Sequence, residues 1–475
     1  MIANAKVTCC VLLCILIQAG LAQAQRTSGE AAQISGDNVR PARPPLTAAE
    51  REAENTLRKL GVSISRDESG EVYAVRVSGP QCSDDDLVHL EKLSWSETAS
   101  TRKVGRWATW NFPSLGLDRT RISDEGFAKL CQLTHFRFLS LADNAAITNS
   151  ALKQLHLPQL KGIRISSTGI TGDGLVHLKK LKKLEFISVR GTKGITARGI
   201  EHLNELTSLK GLELGGQDIT DDCIVHISSD VTSLSLEDTQ ITDAGLQHIS
   251  MLQNLTELSV VDTFLSPNET PVTDAGVRHL ASLNNLEVLH LRRLGLSDLS
   301  VKHLKSLKGL VRLRLAGNQI SNSGLAYLQN MVHIRQLELT NNKVTDSGLA
   351  HLKPLAELEQ LYLVNTNITD RGLVHLTHLA NLRLLQLHDT KVSKKGIDML
   401  GKELPNCDIE AGKYIQSYIL EKFSRLDLNG DGKLTSDEMA PRDKLALLSV
   451  DANGDGILSK EELVDDTDGS GASGN

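Results

Sequence analysis

Apolar and polar positions repeat in a fixed pattern between about residues 87 and 409. In segments such as "LELTNNKVTDSGLAHL" and "LYLVNTNITDRGLVHL", alternating apolar and polar residues are followed by Thr or Ser and then by a "GLxxL" stretch. Alternation with a period of two predicts a short strand that is buried on one face, whereas apolar residues three or four apart predict one helical stripe. Each unit is therefore predicted to be a strand followed by a short helix.

The Thr or Ser that follows the Ile or Val of each unit sets the register of the repeat. A hydroxyl at this point accepts a hydrogen bond from the free N–H groups of the first helical turn, so it predicts a helix N-cap. The Asp that often follows suits the positive end of the helix, and the Gly is expected to allow close approach to the next coil. The 13 markers are Ser83, Ser123, Thr148, Thr171, Thr196, Thr220, Thr242, Thr273, Ser297, Ser321, Thr345, Thr369 and Ser393.

Neighbouring markers are 24 residues apart in the five C-terminal intervals. Two intervals are longer. The marker after Ser83 comes 40 residues later, and the marker after Thr242 comes 31 residues later, where "FLSPNETPV" is inserted. One unit cannot bury its own apolar stripe, but stacked units bury a continuous core. We expect the repeats to extend over residues 83–412.

The insertion and the stretch 94–117 are candidate contact loops. The second holds all the Trp residues, which are Trp95, Trp107 and Trp110. Exposed Trp side chains would favour binding, whereas packed ones would fill an irregular early unit.

The repeats resemble those of leucine-rich repeat proteins, in particular the ribonuclease-inhibitor-like and cysteine-containing types, although the regular Cys of the latter is missing. The resemblance implies an α/β solenoid shaped as a horseshoe, with a parallel sheet on the concave face and helices on the convex face. It also implies a protein or peptide ligand on the concave face. Similar repeats occur in secreted bacterial proteins and in substrate receptors of ubiquitin ligases, but no F-box is visible here.

Residues between and just after the strand leucines are expected to line the concave face. An acidic band there adjoins a basic band, with a Tyr nearby. Arg and Tyr are favoured anchors in interfaces, and the alternative is an ordinary solvated sheet face. The predicted partner-binding residues are Glu213, Glu237, Asp238, His290, Arg292, Arg293, Arg314, Glu338 and Tyr362, with Asp262, Arg312, Gln360, Gln386 and His388 beside them.

Two segments near the C-terminus, "DLNGDGKLTSDE" and "DANGDGILSKEE", place oxygen donors at the positions of a calcium loop. In this EF-hand pattern a glycine at position 6 permits a sharp turn, position 7 offers its carbonyl, and Glu at position 12 is bidentate. We therefore predict two calcium sites. Their ligands are Asp427, Asn429, Asp431, Lys433, Thr435 and Glu438 in the first loop, and Asp451, Asn453, Asp455, Ile457, Ser459 and Glu462 in the second.

Leu434 and Leu458, at position 8 of each loop, are expected to pair the loops through a short β-ladder. Only 12 residues separate Glu438 from Asp451, which is tight for an EF-hand pair and leaves little exit helix. Residues 413–466 are therefore expected to form a compact, small α-helical EF-hand module that calcium orders, and residues 467–475 a disordered tail.

The N-terminal residues have the pattern of a secretory signal. Lys6 precedes an apolar run from Val7 to Leu21, and a small-residue cleavage pattern ends at Ala24. Residues 1–24 are predicted to be a signal peptide. An uncleaved membrane anchor is the alternative, for which the run is short.

Between the signal and the repeats, the polar residues 25–46 predict a flexible linker. Residues 47–82 are predicted to cap the first repeat. Thr47 and Glu50 have the spacing of a capping box that opens a helix to about Leu60, and "SISRDESGEVYAVRVSG" predicts two short strands around a turn.

The net charge of −6 lies entirely in the C-terminal segment. Residues 413–475 carry 7 Lys and Arg against 13 Asp and Glu, and the rest of the chain carries 45 of each. Proteins that bind nucleic acid have a basic face, so nucleic acid is not expected as a partner. The four Cys that follow the predicted signal are widely spaced, which indicates free thiols rather than a disulfide framework.

No catalytic motif of the hydrolase, nucleotide-binding or metalloprotease kind is visible, so a non-enzymatic protein is expected. The leading hypothesis is a secreted, periplasmic or envelope protein-binding solenoid with two calcium sites and no transmembrane segment after signal cleavage. The first alternative is a calcium-dependent cell-surface or envelope structural or adhesion protein whose C-terminal module contacts an envelope component. The second is an adaptor of the ubiquitin-ligase substrate-receptor type.

Overall fold

A computed structural model describes residues 46–67, 69–96, 113–262, 272–412, 432–435 and 457–459. The chain divides into two compact units, and the first comprises residues 38–262 and 270–290. The second unit contains everything from Leu291 onward. The predicted signal peptide, most of the predicted linker, the insertion after Thr242, and Trp107 and Trp110 lie outside the described residues.

The first unit begins with a helix, α1 (Ala48–Lys59), whose N-cap Thr47 accepts a hydrogen bond from the Glu50 N–H at 3.1 Å. The predicted start of this helix is confirmed, but the capping box is not formed. The Glu50 carboxylate instead accepts hydrogen bonds from Ser94 (3.0 and 3.2 Å) and from Arg66 (3.2 Å). Because these partners were further away in sequence, the spacing alone could not reveal them.

Two antiparallel strands follow the first helix, as predicted, and the second of them starts a parallel sheet. Each later strand of the unit pairs in parallel with the strand before it. The strands are β1 (Ser63–Arg66), β2 (Val72–Ser78), β3 (Ser114–Asp118), β4 (Phe138–Ser140), β5 (Gly162–Arg164), β6 (Phe186–Ser188), β7 (Gly211–Gly215), β8 (Ser233–Glu237) and β9 (Glu257–Val261).

The chain passes from the first unit to the second within β10 (Val288–Arg292). The second unit continues with parallel strands, again in chain order. They are β11 (Arg312–Arg314), β12 (Gln336–Glu338), β13 (Gln360–Tyr362), β14 (Leu384–His388) and β15 (Asp408–Gly412).

Each strand from β2 to β14 is followed by a helical segment, and many of these segments are 3₁₀ rather than α. A coil of about 24 residues leaves room for only one or two turns, and the tighter 3₁₀ turn is common in such short pieces. The α-helices are Asp124–Leu130, Asn149–Gln154, Ala197–Glu201, Asp221–Val225, Asp243–Ile249, Asp274–Val277, Asp298–Leu304, Asn322–Leu325, Asp346–Leu349, Asp370–Leu373 and Lys394–Glu403. The 3₁₀ segments are Asp84–His89, Gly172–Lys180, His202–Glu205, Arg278–Ser282, Ala326–Asn330, Ala350–Leu352 and Val374–Leu376.

All 13 predicted N-cap residues, from Ser83 to Ser393, stand immediately before a helical segment with extended backbone, which confirms the register of the repeat. The predicted hydrogen bond to the hydroxyl is not formed at Thr171, Thr196, Thr220 and Thr345. Inside each coil, strand and helix leucines form the core. In one coil of the second unit, Leu337, Leu349, Leu352 and Leu358 are all completely buried.

A ladder of Asp and Asn side chains joins successive coils at the helix starts. The Asp346 carboxylate accepts hydrogen bonds from the N–H (2.7 Å) and the hydroxyl (2.6 Å) of Thr369, the N-cap of the next coil. The same pair of bonds recurs from Asp84 to Ser123, Asp124 to Thr148, Asp221 to Thr242, Asp243 to Thr273, Asp298 to Ser321 and Asp370 to Ser393. The N-cap Thr or Ser thus serves its own helix and the preceding coil.

The Gly that recurs in the helices leaves room for the Asp and Asn side chains of this ladder. A Cβ added at Gly372 would lie 2.5 Å from Asp346 Oδ1 and 3.1 Å from its Cα. Equivalent collisions occur at Gly126, Gly174, Gly245, Gly276, Gly324, Gly348 and Gly396. Close approach of two coils, the predicted reason, applies to Gly172 and Gly199, where an added Cβ at Gly199 would lie 2.7 Å from Gly172 Cα.

Trp95 packs inside the first unit, with its ring centroid 6.2 Å from that of Phe136 and its Nε1 donating to the Leu90 carbonyl at 3.0 Å. Cys82 and Cys223 are buried free thiols, and Cys131 and Cys407 are half-buried ones. Among the helices of the described residues, none has the length and apolarity to cross a membrane.

Candidate interaction surface and calcium loops

The strand register of the second unit aligns polar side chains in two rows. Arg314, Glu338, Tyr362, Gln386 and Glu410 are successive partners across β11 to β15. A second row, two residues earlier on each strand, begins with Arg312, Gln336 and Gln360. Residues i and i+2 of a strand point to the same side of a sheet, so both rows lie on one face.

Three arginines and one glutamate meet on this face, and we call Arg292, Arg312, Arg314 and Glu338 the basic cluster. Arg292 Nη2 lies 3.5 Å from Glu338 Oε1, and Arg314 Nε lies 3.5 Å from Glu338 Oε2. These distances permit charge attraction but are too long for good hydrogen bonds. Glu338 therefore attracts two guanidinium groups without being hydrogen-bonded to either.

Two members of the basic cluster, Arg292 and Glu338, are buried although they are charged, and Arg312 and Arg314 are half-buried. The exposed fraction of the side chain is 1% for Glu338, 6% for Arg292 and 15% for Arg314. Among the described residues, the Nε atoms of the three arginines and both Glu338 oxygens have no hydrogen-bond partner. Burial, with the positive charges of Arg312 and Arg292, lowers the pKa of Arg314, and Glu338 opposes this only in part.

Neutral polar groups adjoin the cluster along both rows. Gln336 Nε2 donates to the Tyr362 hydroxyl at 3.3 Å, and that hydroxyl donates to Gln360 Oε1 at 3.0 Å. Burial raises the pKa of Tyr362 to about 12, so the phenol stays protonated at neutral pH. Further along, Gln386 Nε2 donates to Glu410 at 2.7 Å.

The first unit carries a different arrangement, which we call the acidic cluster and define by Arg190, Glu213 and Glu237. Arg190 Nη1 lies 3.9 Å from Glu213 Oε2, and its Nη2 contacts Glu237. Partial burial lowers the pKa of Arg190, an effect that Glu213 opposes. Sequence analysis missed Arg190, although its place two residues after Ser188 at the end of β6 puts it beside the strands that carry both glutamates.

The predicted partner-binding residues thus fall into separate groups. Glu213 and Glu237 belong to the acidic cluster, whereas Arg292, Arg314 and Glu338 belong to the basic cluster with Tyr362 next in register. His290 is half-buried on β10. Asp238 and Arg293 follow their strands at φ of 56° and 58°, in turns.

Near the C-terminus, the structure describes the strand of each predicted calcium loop. β16 (Lys433–Thr435) pairs with β17 (Ile457–Ser459) in antiparallel fashion, with Leu434 opposite Leu458, as predicted. Leu434 is completely buried. Gly432, at position 6 of the first loop, has φ of +77°, which suits the sharp turn that the loop requires.

These residues fit a calcium loop, because they combine the turn at position 6 with the paired strands at positions 7 to 9. The predicted ligands Lys433, Thr435, Ile457 and Ser459 lie on those strands. The ligands Asp427, Asn429, Asp431, Glu438, Asp451, Asn453, Asp455 and Glu462 lie outside the described residues. Within the described ranges, no group of three or more His, Cys, Asp or Glu side chains has the geometry of a metal site.

Comparison with known proteins agrees with this architecture. The Leucine Rich repeat family matches residues 228–250, 310–328 and 330–352, and the EF hand family matches residues 420–440 and 445–465. No curated protein matches the sequence. The described coils are leucine-rich repeats of a solenoid, and the C-terminal segment carries two EF-hand motifs.

Two solved structures are similar to the chain. One is an internalin from Listeria monocytogenes at 19% identity and a TM-score of 0.45, covering 77% of this chain and 95% of that one. The other is internalin C2 from the same species at 26% identity and a TM-score of 0.35, covering 45% of this chain and 83% of that one.

Proposed function

We propose that this protein is an exported, non-enzymatic solenoid that binds a protein or peptide on the strand face of its repeats and binds two calcium ions in its C-terminal loops. The observation that carries the proposal is the row of polar and charged side chains on the strands, held by a core of mostly apolar residues. A rigid repeat core holds such a row at fixed spacing, which suits extended contact with another chain.

Export is supported by the predicted signal at residues 1–24. The proposed organisation continues with a linker at 25–46, a cap at 47–82, repeats at 83–412, the EF-hand pair at 413–466 and a tail at 467–475. The protein would then work outside the cell, in the periplasm or at the envelope.

Calcium binding is supported by the donor sets of both loops and by the paired strands that join them. Calorimetric titration of the full chain with calcium should reveal two sites. Glu438→Gln and Glu462→Gln should each remove one site, because a bidentate carboxylate is lost from position 12. A full chain that binds no calcium, or variants that keep both sites, would contradict this part of the proposal.

Protein binding is tested by capture from growth medium and envelope fractions on the immobilised full chain. A partner that uses the strand face should be lost when Arg292 and Arg314 are both replaced by Gln. It should be retained by Lys308→Gln, since Lys308 is exposed and lies outside the strands. Capture that is unchanged in the double variant would contradict binding at this face.

The alternative, in which the EF-hand pair attaches the protein to an envelope component, predicts a different result from the same experiment. A chelator should then abolish envelope attachment while capture by the strand face persists. The ladder between the two calcium loops supports this candidate, because it couples both loops into one module.

A further inference from the structure

The basic cluster holds more positive charge than the second unit neutralises. Arg292, Arg312 and Arg314 face a single carboxylate, Glu338, which leaves two positive charges without a counterpart in the cluster. The other carboxylates on these rows, Asp408 and Glu410, lie on β15, three strands beyond Glu338, and Glu410 already accepts a hydrogen bond from Gln386. The imidazole Nε2 of His388 lies 3.6 Å from Glu410 Oε2.

Such an excess is costly where the side chains are removed from water. A buried charge is normally paired and hydrogen-bonded, yet the Arg292 side chain is only 6% exposed and its Nε has no hydrogen-bond acceptor among the described residues. The same holds for the Nε atoms of Arg312 and Arg314. Three N–H donors of the cluster are thus without a hydrogen-bond acceptor in the part of the chain that the structure describes.

We propose that the basic cluster is a recognition site for a carboxylate side chain of an acidic peptide segment. The guanidinium group has planar, paired donors that match a carboxylate. One added carboxylate would supply acceptors for the converging N–H groups and reduce the excess charge. This inference rests on the proposed function, since it names the chemistry that the strand face selects in its partner.

Glu338 limits how much further negative charge the cluster takes up. It sits between Arg292 and Arg314 at 3.5 Å from each, so a second anion in the cluster is repelled by its charge. The row of neutral groups beyond it, Tyr362, Gln336 and Gln360, offers hydrogen bonds to peptide backbone without adding charge.

The site is tested by calorimetric titration of the full chain with amidated hexaglutamate at low ionic strength, with amidated hexaglutamine as the matched neutral peptide. We expect hexaglutamate to bind and hexaglutamine not to bind. Arg292→Gln and Arg314→Gln should each weaken hexaglutamate at least tenfold, and the exposed control Lys308→Gln should leave its affinity within a factor of two. Equal affinity in the wild type and in both arginine variants would overturn the proposal.

Glu338→Gln separates a binding site from a merely structural cluster. Because Glu338 competes with the incoming carboxylate, its neutralisation should tighten hexaglutamate at least threefold, and the peptide should raise the melting temperature of this variant more than that of the wild type. Weaker binding in Glu338→Gln would overturn the proposal. Tighter binding of a phosphoserine peptide, lost in the same arginine variants, would overturn the choice of a carboxylate.

The titration needs no natural partner, so its failure is distinct from failure of the capture experiment. Hexaglutamate binding without any captured protein leaves the site in place and contradicts the proposed function. Capture that depends on Arg292 and Arg314, without hexaglutamate binding, leaves the proposed function in place and contradicts the acidic specificity.

Discussion

The strand faces of the two units use the same charged groups in opposite proportion. In the acidic cluster, one cation, Arg190, lies between Glu213 and Glu237, whereas in the basic cluster one carboxylate, Glu338, lies between Arg292 and Arg314. The clusters also differ in burial, because the Arg190 side chain is 40% exposed and the Glu338 side chain only 1%. Both stand on parallel strands with an apolar interior beneath them.

The comparison shows that charge and burial act together at these sites. Water reaches Arg190 and screens part of the net charge of the acidic cluster. Glu338 and Arg292 are shielded from water, so the excess charge of the basic cluster must be met by a partner or retained at a cost in stability. The scaffold is the same in both units, and the displayed side chains make the difference.

The largest effect is expected from removing the central carboxylate. Glu338→Gln leaves Arg292 and Arg314 buried side by side, and loss of one partner from a buried ion pair typically costs about 3 kcal/mol or more. We expect the free energy of unfolding, measured by chemical denaturation, to fall by about that amount. Glu357→Gln is the matched control, because Glu357 is 41% exposed where it pairs with Arg335, and its cost should be much smaller.

The shared scaffold is tested by one glycine substitution in each unit. Gly245→Ala and Gly372→Ala should each lower the free energy of unfolding by about 1–3 kcal/mol, because the new methyl group collides with Asp221 or Asp346 of the preceding coil. Clearly unequal costs would show that the capping ladder differs between the units.

Gly401→Ala provides the control for this pair. Nothing lies within 4 Å of an added Cβ at Gly401, which is inside the helix Lys394–Glu403. The same substitution should here stabilise the protein by about 0.5–1 kcal/mol, because Ala is the better helix former. Destabilisation at Gly401 would mean that crowding is not the cause of the cost at the other two glycines.

Removal of the central cation should have a smaller effect than removal of the central carboxylate. Arg190→Gln leaves Glu213 and Glu237 next to each other, but water reaches this cluster and screens the repulsion. We expect a loss of about 1 kcal/mol that shrinks as salt is added. A loss as large as that of Glu338→Gln would contradict the contrast in burial.

The smallest effect is expected on the stability of the protein at acidic pH. His388 and the hydrogen bond from Gln386 lower the pKa of Glu410 below its ordinary 4.5, against the opposing effect of burial, and the neighbouring Asp408 carboxyl has a raised pKa. A carboxyl group whose pKa is lowered by folding stabilises the protein at pH values above its ordinary pKa. This contribution is lost as the pH falls through the lowered pKa. Glu410→Gln should therefore flatten the decline in stability below about pH 4.5. An unchanged pH profile would contradict this coupling.

Local chemistry accounts for what the sequence predicted well. The N-cap hydroxyl, the alternating strand residues and the position-8 leucines of the calcium loops act on residues near them in the chain or repeat at a fixed spacing. The features that the sequence did not reveal are contacts between neighbouring coils. Gly372 is needed because Asp346, from the preceding coil, occupies the space beside it, and Asn342 spans coils by donating to the Leu315 carbonyl at 2.9 Å.

The charged face was predicted in composition but not in arrangement. The residues of the two bands were identified, yet a list of exposed positions could not show that Arg190 lies against Glu213 and Glu237 or that Glu338 is buried between two arginines. Those facts depend on the register of neighbouring strands. Neighbouring strands lie about 4.8 Å apart, so the register decides which side chains on one face are in contact. Burial follows from that crowding.

The most direct measurement is an anomalous diffraction experiment on crystals of the full chain soaked in 4-bromobenzoate. The bromine signal marks where the carboxylate binds. We expect a peak among Arg292, Arg312 and Arg314 in the wild type that disappears in Arg314→Gln and has no counterpart at Arg190. A peak of equal height at Arg190, or none at the three arginines, would contradict a carboxylate site in the basic cluster.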